Sequence, residues 1–118
     1  MTPDALVDFC LSLPQSEESF PFGPETSVFK TTGNGKIFAL SALAGDPLTV
    51  SLKCDPEDSR ALREEFPDLI TPGYHLNKKH WITIVLDGRV DVELVRQLIH
   101  ASHALVRPTA PRARGAQA

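Results

Sequence analysis

Apolar and polar positions alternate with two different periods along this chain, and the change of period divides it into helices and strands. The first stripe consists of apolar residues spaced three and four positions apart, namely Leu6, Phe9, Cys10 and Leu13. This spacing predicts an amphipathic helix over residues 3 to 12. Thr2 and Pro3 suit the cap and the first turn of this helix, and Pro14 ends it.

A period of two residues marks the strands. Residues 26 to 31 and 36 to 43 are rich in β-forming residues, and the Gly-Asn-Gly turn between them predicts a β-hairpin. Residues 48 to 53 alternate strictly, so we expect their apolar side chains to face the core. The inward set is Leu48, Val50 and Leu52, and the outward set is Thr49, Ser51 and Lys53. Residues 80 to 86 predict a further strand, and the segment around Tyr74 can form another short one.

Two more helices have clear start and stop signals. Asp55 and Pro56 supply a cap and a first-turn proline for a helix that continues to about residue 66. The last helix is predicted to start at Asp91 and to end before Pro108. Its expected buried stripe is Leu94, Val95, Leu98, Ile99, Ser102, Leu105 and Val106.

The predicted order of elements is α-β-β-β-α-β-β-α, without the regular alternation of strand and helix that builds parallel sheets. Connections this short favour antiparallel neighbours. We therefore predict an α+β domain with two layers, in which helices cover one face of an antiparallel sheet of about five strands. Residues 1 to 107 should form this single domain, and the tail over residues 108 to 118, rich in Pro, Ala and Arg, should be disordered.

Length and composition agree with one ordinary globular domain. A chain of 118 residues with 42% hydrophobic content can bury a single core without a metal or a disulfide. Cys10 lies on the apolar stripe of the first helix and is expected in the core. The two cysteines lie in different contexts without a secretory signal, so we expect free thiols and a cytoplasmic location. No apolar run approaches the length that spans a membrane.

The charge is unevenly distributed along the chain. The net charge is −3, which argues mildly against a general nucleic-acid coating protein. Residues 1 to 68 carry five Lys and Arg against twelve Asp and Glu, for a net charge of −7. Residues 69 to 118 carry seven against three, for a net charge of +4. Folding can bring the cationic residues of the second half together on one basic face. Alternatively, it can distribute them over the surface, so that no face carries an excess of positive charge.

One segment after a Pro-Gly turn collects cationic and aromatic side chains without any acidic residue. With Lys53 as a neighbour, the candidate binding residues are Lys53, Tyr74, His75, Asn77, Lys78, Lys79, His80 and Trp81. Cationic groups attract and hydrogen-bond phosphate or carboxylate, and the flat faces of Tyr74 and Trp81 can stack on a base or ring. The simpler alternatives are that the lysines are solvated turn residues and that Trp81 anchors the core.

Other reactive residue types are present without the partners that a reaction needs. His75 and His80 do not have a recognised metal-ligand spacing, so no metal site and no cofactor are expected. Cys54 beside Lys53 lacks a defined base and oxyanion partner, and no catalytic motif occurs elsewhere, so we expect a noncatalytic protein.

Two pairs of residues receive structural interpretations. His100 and His103 are expected on the polar, solvated face of the last helix. Phe20 and Phe22 are expected to close the core beside the first hairpin.

Three short motifs together resemble the MmcQ/YjbR family. They are Phe-Pro-Phe-Gly at residues 20 to 23, Lys-Cys-Asp-Pro at residues 53 to 56, and Gly-Tyr-His-x-Asn-Lys-Lys-His-Trp at residues 73 to 81. The resemblance extends over roughly residues 3 to 107. It implies a small bacterial cytoplasmic α+β domain, similar to CyaY-like and secretion-chaperone-like folds, that is commonly described as DNA-binding. It implies no catalytic residue.

The function expected from these observations is weak binding of nucleic acid, and DNA in particular, through the basic and aromatic segment. The alternative is a noncatalytic module that uses the same segment to hold a small anionic ligand or an acidic segment of a partner protein. The negative net charge favours this alternative, whereas the pairing of lysines with aromatic rings favours nucleic acid.

Overall fold

A computed structural model describes residues 1–73, 77 and 79–108 of this chain. The helices are α1 (Pro3–Ser12), α2 (Pro56–Glu65) and α3 (Val92–Val106). The strands are β1 (Ser16–Ser19), β2 (Ser27–Thr31), β3 (Ile37–Ser41), β4 (Thr49–Lys53), β5 (Ile70–Pro72) and β6 (Trp81–Val85). From residue 109 onward, the predicted disordered tail lies outside the described residues.

All three predicted helices are confirmed, and their first residues follow from side-chain caps. The Thr2 hydroxyl accepts a hydrogen bond from the Ala5 N–H at 3.1 Å. Asp55 and Asp91 act in the same way, each accepting from the N–H group two residues later, at 2.9 Å and 3.0 Å. These caps satisfy N–H groups that have no partner inside a helix, so each helix begins where its sequence signal predicts.

The strands form one antiparallel sheet with the order β1-β2-β3-β4-β6-β5. The predicted α+β class is confirmed, with six strands where about five were expected. The additional strand is β1, whose sequence Ser-Glu-Glu-Ser has no apolar alternation. It forms because it pairs along β2, where the Ser27 hydroxyl also donates to the Glu18 carboxylate at 2.6 Å.

The short strand before β6 lies earlier in the chain than the Tyr74 segment. It is β5, whose three residues pair with Ile82 to Ile84 of β6. Tyr74 itself falls outside the described residues. β5 is short because Pro72 has no N–H to donate to a sheet, and Pro is tolerated at a sheet edge.

The predicted hairpin of β2 and β3 is confirmed, and it contains a bulge. Phe29 pairs with Ala39 and Lys30 pairs with Ile37, so Phe38 is an extra residue on β3. Two consecutive residues of β3, Phe38 and Ala39, therefore contribute to the core on one side of the sheet. The Phe29 and Phe38 rings lie with their centroids 6.4 Å apart.

The core lies between one face of the sheet and the helices. α1 contacts β1, α3 contacts β3 and β4, and α2 contacts β5. On β4, Val50 and Leu52 are fully buried, as the alternation predicts, and Leu48 packs against the core from just before the strand. Ser51 faces the other side of the sheet, as predicted. It is buried there, and its hydroxyl lies 2.9 Å from that of Thr83 on β6.

A serine connects α3 to the centre of the sheet. The Ser102 hydroxyl donates to the Phe38 carbonyl at 2.6 Å and accepts from the Lys53 N–H at 2.9 Å. Ser102 is completely buried, so water cannot replace it as the hydrogen-bond partner of the Phe38 carbonyl or the Lys53 N–H. One side chain therefore satisfies a donor on β4 and an acceptor on β3 while it positions α3.

Two predictions about α3 were wrong. His103 is only 3% exposed rather than on the solvated face. Its Nε2 lies 2.8 Å from the Pro14 carbonyl, which can only accept, and its ring packs edge-on against Phe38 at 5.1 Å. Leu105, predicted to be buried, is 54% exposed. The buried stripe of α3 thus extends to His103, because the Pro14 carbonyl and the Phe38 ring contact that side of the helix.

The prediction that Phe20 and Phe22 close the core was also wrong. Their exposed fractions are 51% and 65%, in the connection between β1 and β2. The formation of β1 explains this result, because its pairing places the following residues beyond the edge of the core.

Substituting Ser102 by Ala should lower the free energy of unfolding by about 2 to 3 kcal/mol, because a buried N–H and a buried carbonyl would each lose their partner. Chemical denaturation followed by circular dichroism measures this change. Ser12→Ala is the matched control, because Ser12 is exposed and its hydroxyl bonds only to the Phe9 carbonyl of its own helix. Equal stability of Ser102→Ala and the parent protein would contradict this role of the hydroxyl.

Candidate functional site

The sheet face opposite the helices brings two of the predicted site residues together. The contact between the Ser51 and Thr83 hydroxyls shows that both side chains lie on this face. Lys53 lies two positions after Ser51 on β4, and Trp81 lies two positions before Thr83 on β6. Lys53 and Trp81 are direct cross-strand partners. Because side chains alternate between the faces of a strand, Lys53 and Trp81 share the face of Ser51 and Thr83. We call this pair, with its two hydroxyl neighbours, the open-face patch.

The chain that leads into β6 is held by main-chain contacts around Asn77. The Asn77 carbonyl accepts from the His80 N–H at 3.1 Å, and its side-chain oxygen accepts from the Lys79 N–H at 2.9 Å. The His80 carbonyl in turn accepts from the Cys54 N–H at 2.7 Å, and the Gly73 N–H donates to the Trp81 carbonyl at 2.9 Å. Asn77 therefore has a structural role, which is to form the turn that leads into Trp81.

Five of the eight predicted site residues are described, and all five belong to one end of β4 and β6 or to the turn before β6. Asn77 and Lys79 are exposed, whereas Lys53, His80 and Trp81 are half-buried. Tyr74, His75 and Lys78 lie outside the described residues. Trp81 is half-buried and does not belong to the core cluster, so part of its surface is available for contact.

Lys53 of the open-face patch and the nearby Lys79 differ from three arginines in the described part of the chain. Arg60, Arg89 and Arg96 are each paired with a carboxylate, on Glu57, Asp87 and Glu93 respectively. Among the described residues, no carboxylate lies within ion-pair distance of Lys53 or Lys79. Their charges therefore remain available to an external anion.

The described cations of the positive half of the chain are not gathered into one face. Arg96 lies with Phe9 in a groove of about 290 Å³ between α1 and α3, away from the open-face patch. Arg107 is exposed at the C-terminal cap of α3. The basic region near β6 is consequently small, and it is defined by Lys53, Lys79 and His80 among the described residues.

A second candidate site lies on the other side of the sheet. A cavity of about 460 Å³ opens between α2 and α3, and Ile82 of β6 lines it. α3 rests on β3 and β4 while α2 rests on β5, so the two helices leave space above β6. The α3 side of the wall consists of Leu98, Ala101, Ala104 and Leu105. We call this space the interhelix cavity.

One end of the interhelix cavity is polar. The connection from β4 into α2 lines it with Lys53, Cys54 and Asp55, and the first turn of α2 adds Asp58. Burial raises the pKa of the Cys54 thiol to about 11, and the negative charges of Asp58 and Asp55 act in the same direction. Arg63 opposes them weakly. Cys54 is therefore a neutral thiol at physiological pH.

The interhelix cavity was not predicted, although the sequence of α3 contains a signal for it. Leu98 and Leu105 are seven positions apart, and Ala101 and Ala104 lie between them on the same side of α3. This second apolar stripe lies beside the buried stripe of α3 that includes His103. The contact between α3 and the sheet cannot bury both stripes. The apolar surface of α3 is wider than its contact with the sheet can bury. Such an excess of apolar surface could have indicated a groove.

In residues 1–73, 77 and 79–108, no group of three or more His, Cys, Asp or Glu side chains is arranged to hold a metal ion. None of the three helices described above has both the length and the apolar composition needed to cross a membrane.

The raised pKa of Cys54 has a measurable consequence. Alkylation of native Cys54 by iodoacetamide at pH 7 should be about ten-fold or more slower than in the urea-unfolded chain, because little thiolate forms. Asp58→Asn should accelerate the native reaction, since the largest charge that raises the pKa is removed. Asp4→Asn, in the first turn of α1, is the matched control and should leave the rate unchanged.

Mass spectrometry of the digested protein separates labelling of Cys54 from that of Cys10, whose pKa burial raises to about 12. Native Cys54 that reacts as fast as the unfolded chain would contradict the description of a buried, neutral thiol.

Comparison with known proteins identifies relatives along most of the chain. The chain is 46% identical over 97 residues to the uncharacterized protein YbdF of Escherichia coli O157:H7, covering 81% of this chain and 76% of the relative. It is 32% identical over 103 residues to the uncharacterized protein YjbR of Escherichia coli strain K12, covering 87% and 85%.

Solved structures share the fold described above. The crystal structure of the Deinococcus radiodurans protein DR2400 matches with a TM-score of 0.87 and 45% identity, covering 96% of this chain and 86% of that one. A crystal structure from Pseudomonas syringae matches with a TM-score of 0.78 and 29% identity, covering 91% and 100%. The family model described as YjbR matches residues 11–105. The chain therefore belongs to the YjbR family.

Proposed function

We propose that this protein binds single-stranded DNA on the open-face patch, as a noncatalytic protein of the bacterial cytoplasm. The observation that carries the proposal is the cross-strand pair of Lys53 and Trp81 on the sheet face that the helices leave free. An aromatic ring beside an unpaired cation, on an open antiparallel sheet, is an arrangement that binds a base and its phosphate together.

The shape of the patch favours a single strand over a duplex. A base can stack on Trp81 only if it has left its own stack, because bases inside a duplex present only their edges. A broad sheet face also fits poorly into a groove of duplex DNA, which admits a helix or a two-stranded ribbon. The patch lies on β4 and β6, which have sheet neighbours on both sides, so it is not a free two-stranded ribbon.

The charges support modest affinity. Lys53 and Lys79 are the two lysines without a carboxylate partner near Trp81 among the described residues. A net charge of −3 repels DNA at long range, so binding should be detectable mainly at low salt. Few phosphate contacts also imply a shallow dependence of affinity on salt.

Binding of a short fluorescein-labelled oligothymidylate, followed by anisotropy in dilute buffer, should weaken as salt is added. Lys53→Ala and Lys79→Ala should each weaken binding and reduce the salt slope by about 0.7, which is the contribution of one phosphate contact on a single strand. Lys36→Ala is the matched control, because Lys36 is exposed just before β3, outside the patch. Its removal should leave the slope nearly unchanged.

The stacking contribution can be measured separately. Trp81 is the only tryptophan of the chain, so its intrinsic fluorescence should be quenched when a base covers it. Trp81→Phe should retain much of the affinity, whereas Trp81→Ala should lose about 1 to 3 kcal/mol of binding free energy. Circular dichroism of both variants checks that the sheet is intact.

Absence of binding in dilute buffer would refute the proposal, and so would salt-insensitive binding. Equal affinity for an acidic peptide of the same charge would support the alternative of an anion or acidic-segment module, because such a peptide cannot stack bases on Trp81.

A further inference from the structure

We infer that the interhelix cavity is a binding site for a small amphiphile that has an apolar body and a protonated amine. This site is on the opposite side of the sheet from the open-face patch, and the inference does not depend on DNA binding. Three properties of the cavity support this inference: its size, its apolar wall and the sign of the charges at its polar end.

The size corresponds to a small molecule. Pockets that hold small ligands are mostly between about 300 and 1,000 Å³, and the interhelix cavity has about 460 Å³. Its location between two helices is also typical of such sites. The groove between α1 and α3, at about 290 Å³, is smaller and is lined by the ion-paired Arg96 and Glu93.

The wall is apolar and incompletely covered. Leu62 and Leu98 are half-buried, and Leu105 leaves more than half of its surface in water at the edge of the cavity. Ala61, Ala101 and Ala104 keep the two helices from filling the space between them, because their side chains are short. An apolar ligand body in this position would remove the exposed leucine surface from water.

The polar end carries negative charge. Asp55 and Asp58 both line it, and Asp58 has no ion-pair partner within the described part of the chain. The Cys54 thiol inside the cavity is influenced more by these two carboxylates than by Arg63. A cationic group on the ligand would match this end, and an anionic group would be repelled.

Lys53 does not cancel this charge, although it lines the same cavity. Its main-chain N–H donates to Ser102 of α3, so its backbone is the part that faces the helices. Its neighbour Leu52 is fully buried in the core beneath the helices. Alternation along β4 therefore directs the Lys53 side chain to the other face of the sheet, where it pairs across from Trp81.

Three probes of one shape separate the apolar and the charged contributions. Phenylbutylamine, phenylbutanol and phenylbutanoate share the same body and differ at the end group. In nitrogen-15 NMR titrations, the amide signals of Cys54, Ala101 and Ala104 should shift with the amine and the alcohol. The amine should bind about two- to five-fold more tightly than the alcohol, as expected for one solvent-accessible ion pair, and the carboxylate should bind most weakly.

Two variants with matched controls test the site. Asp58→Asn should lower the affinity for the amine to that for the alcohol and leave the alcohol unchanged, whereas Asp4→Asn, also in a helix first turn, should change neither. Ala104→Phe should weaken all three probes about ten-fold or more, because its ring occupies the cavity. Ala5→Phe makes the same replacement at an exposed position of α1 and should have no effect.

Several results would overturn the inference. They are tightest binding of the carboxylate, signal changes confined to residues outside the cavity, no binding of any probe, or no effect of Ala104→Phe in a folded protein. Self-association that Ala104→Phe abolishes, measured by sedimentation, would show instead that a second copy of the chain covers the cavity. None of these results depends on the oligonucleotide measurements, so the two proposals can fail separately.

Discussion

The buried hydroxyl of Ser102 is the interaction on which the arrangement of this protein depends. It holds α3 against the main chain of β3 and of β4 at the same time, at the Phe38 carbonyl and the Lys53 N–H. With α3 fixed over these two strands and α2 resting on β5, the space above β6 stays open between the helices. The same contact orients the last residue of β4, so that the Lys53 side chain emerges on the opposite face.

The sheet thus separates two surfaces of opposite character. The open face presents Lys53 beside Trp81, and no carboxylate of the described residues forms an ion pair with this lysine. The helical side presents an apolar cavity whose polar end carries two carboxylates. Strand alternation is the physical cause, since neighbouring residues such as Leu52 and Lys53 must point to opposite sides of the sheet. The two sides of the sheet therefore differ in the sign of their local charge, despite the modest net charge of the chain.

Agreement between sequence and structure is greatest where the signal is local. Side-chain caps and prolines predicted the bounds of the three helices, and the alternation of residues 48 to 53 predicted the burial of Val50 and Leu52. The errors occur where a distant part of the chain decides the outcome. β1 has no strand pattern and forms through its pairing with β2, and His103 is buried because the Pro14 carbonyl and the Phe38 ring are beside it.

The amino-acid sequence by itself determined the three helices, the order of the elements apart from β1, the apolar side of β4 and the chemical character of the segment before β6. These properties depend on caps, turns and periodicity within a few residues. Only the tertiary structure decided that Lys53 and Trp81 are partners and that α2 and α3 leave a cavity between them. Both features require strand register and helix position, which are set by contacts between residues far apart in the chain.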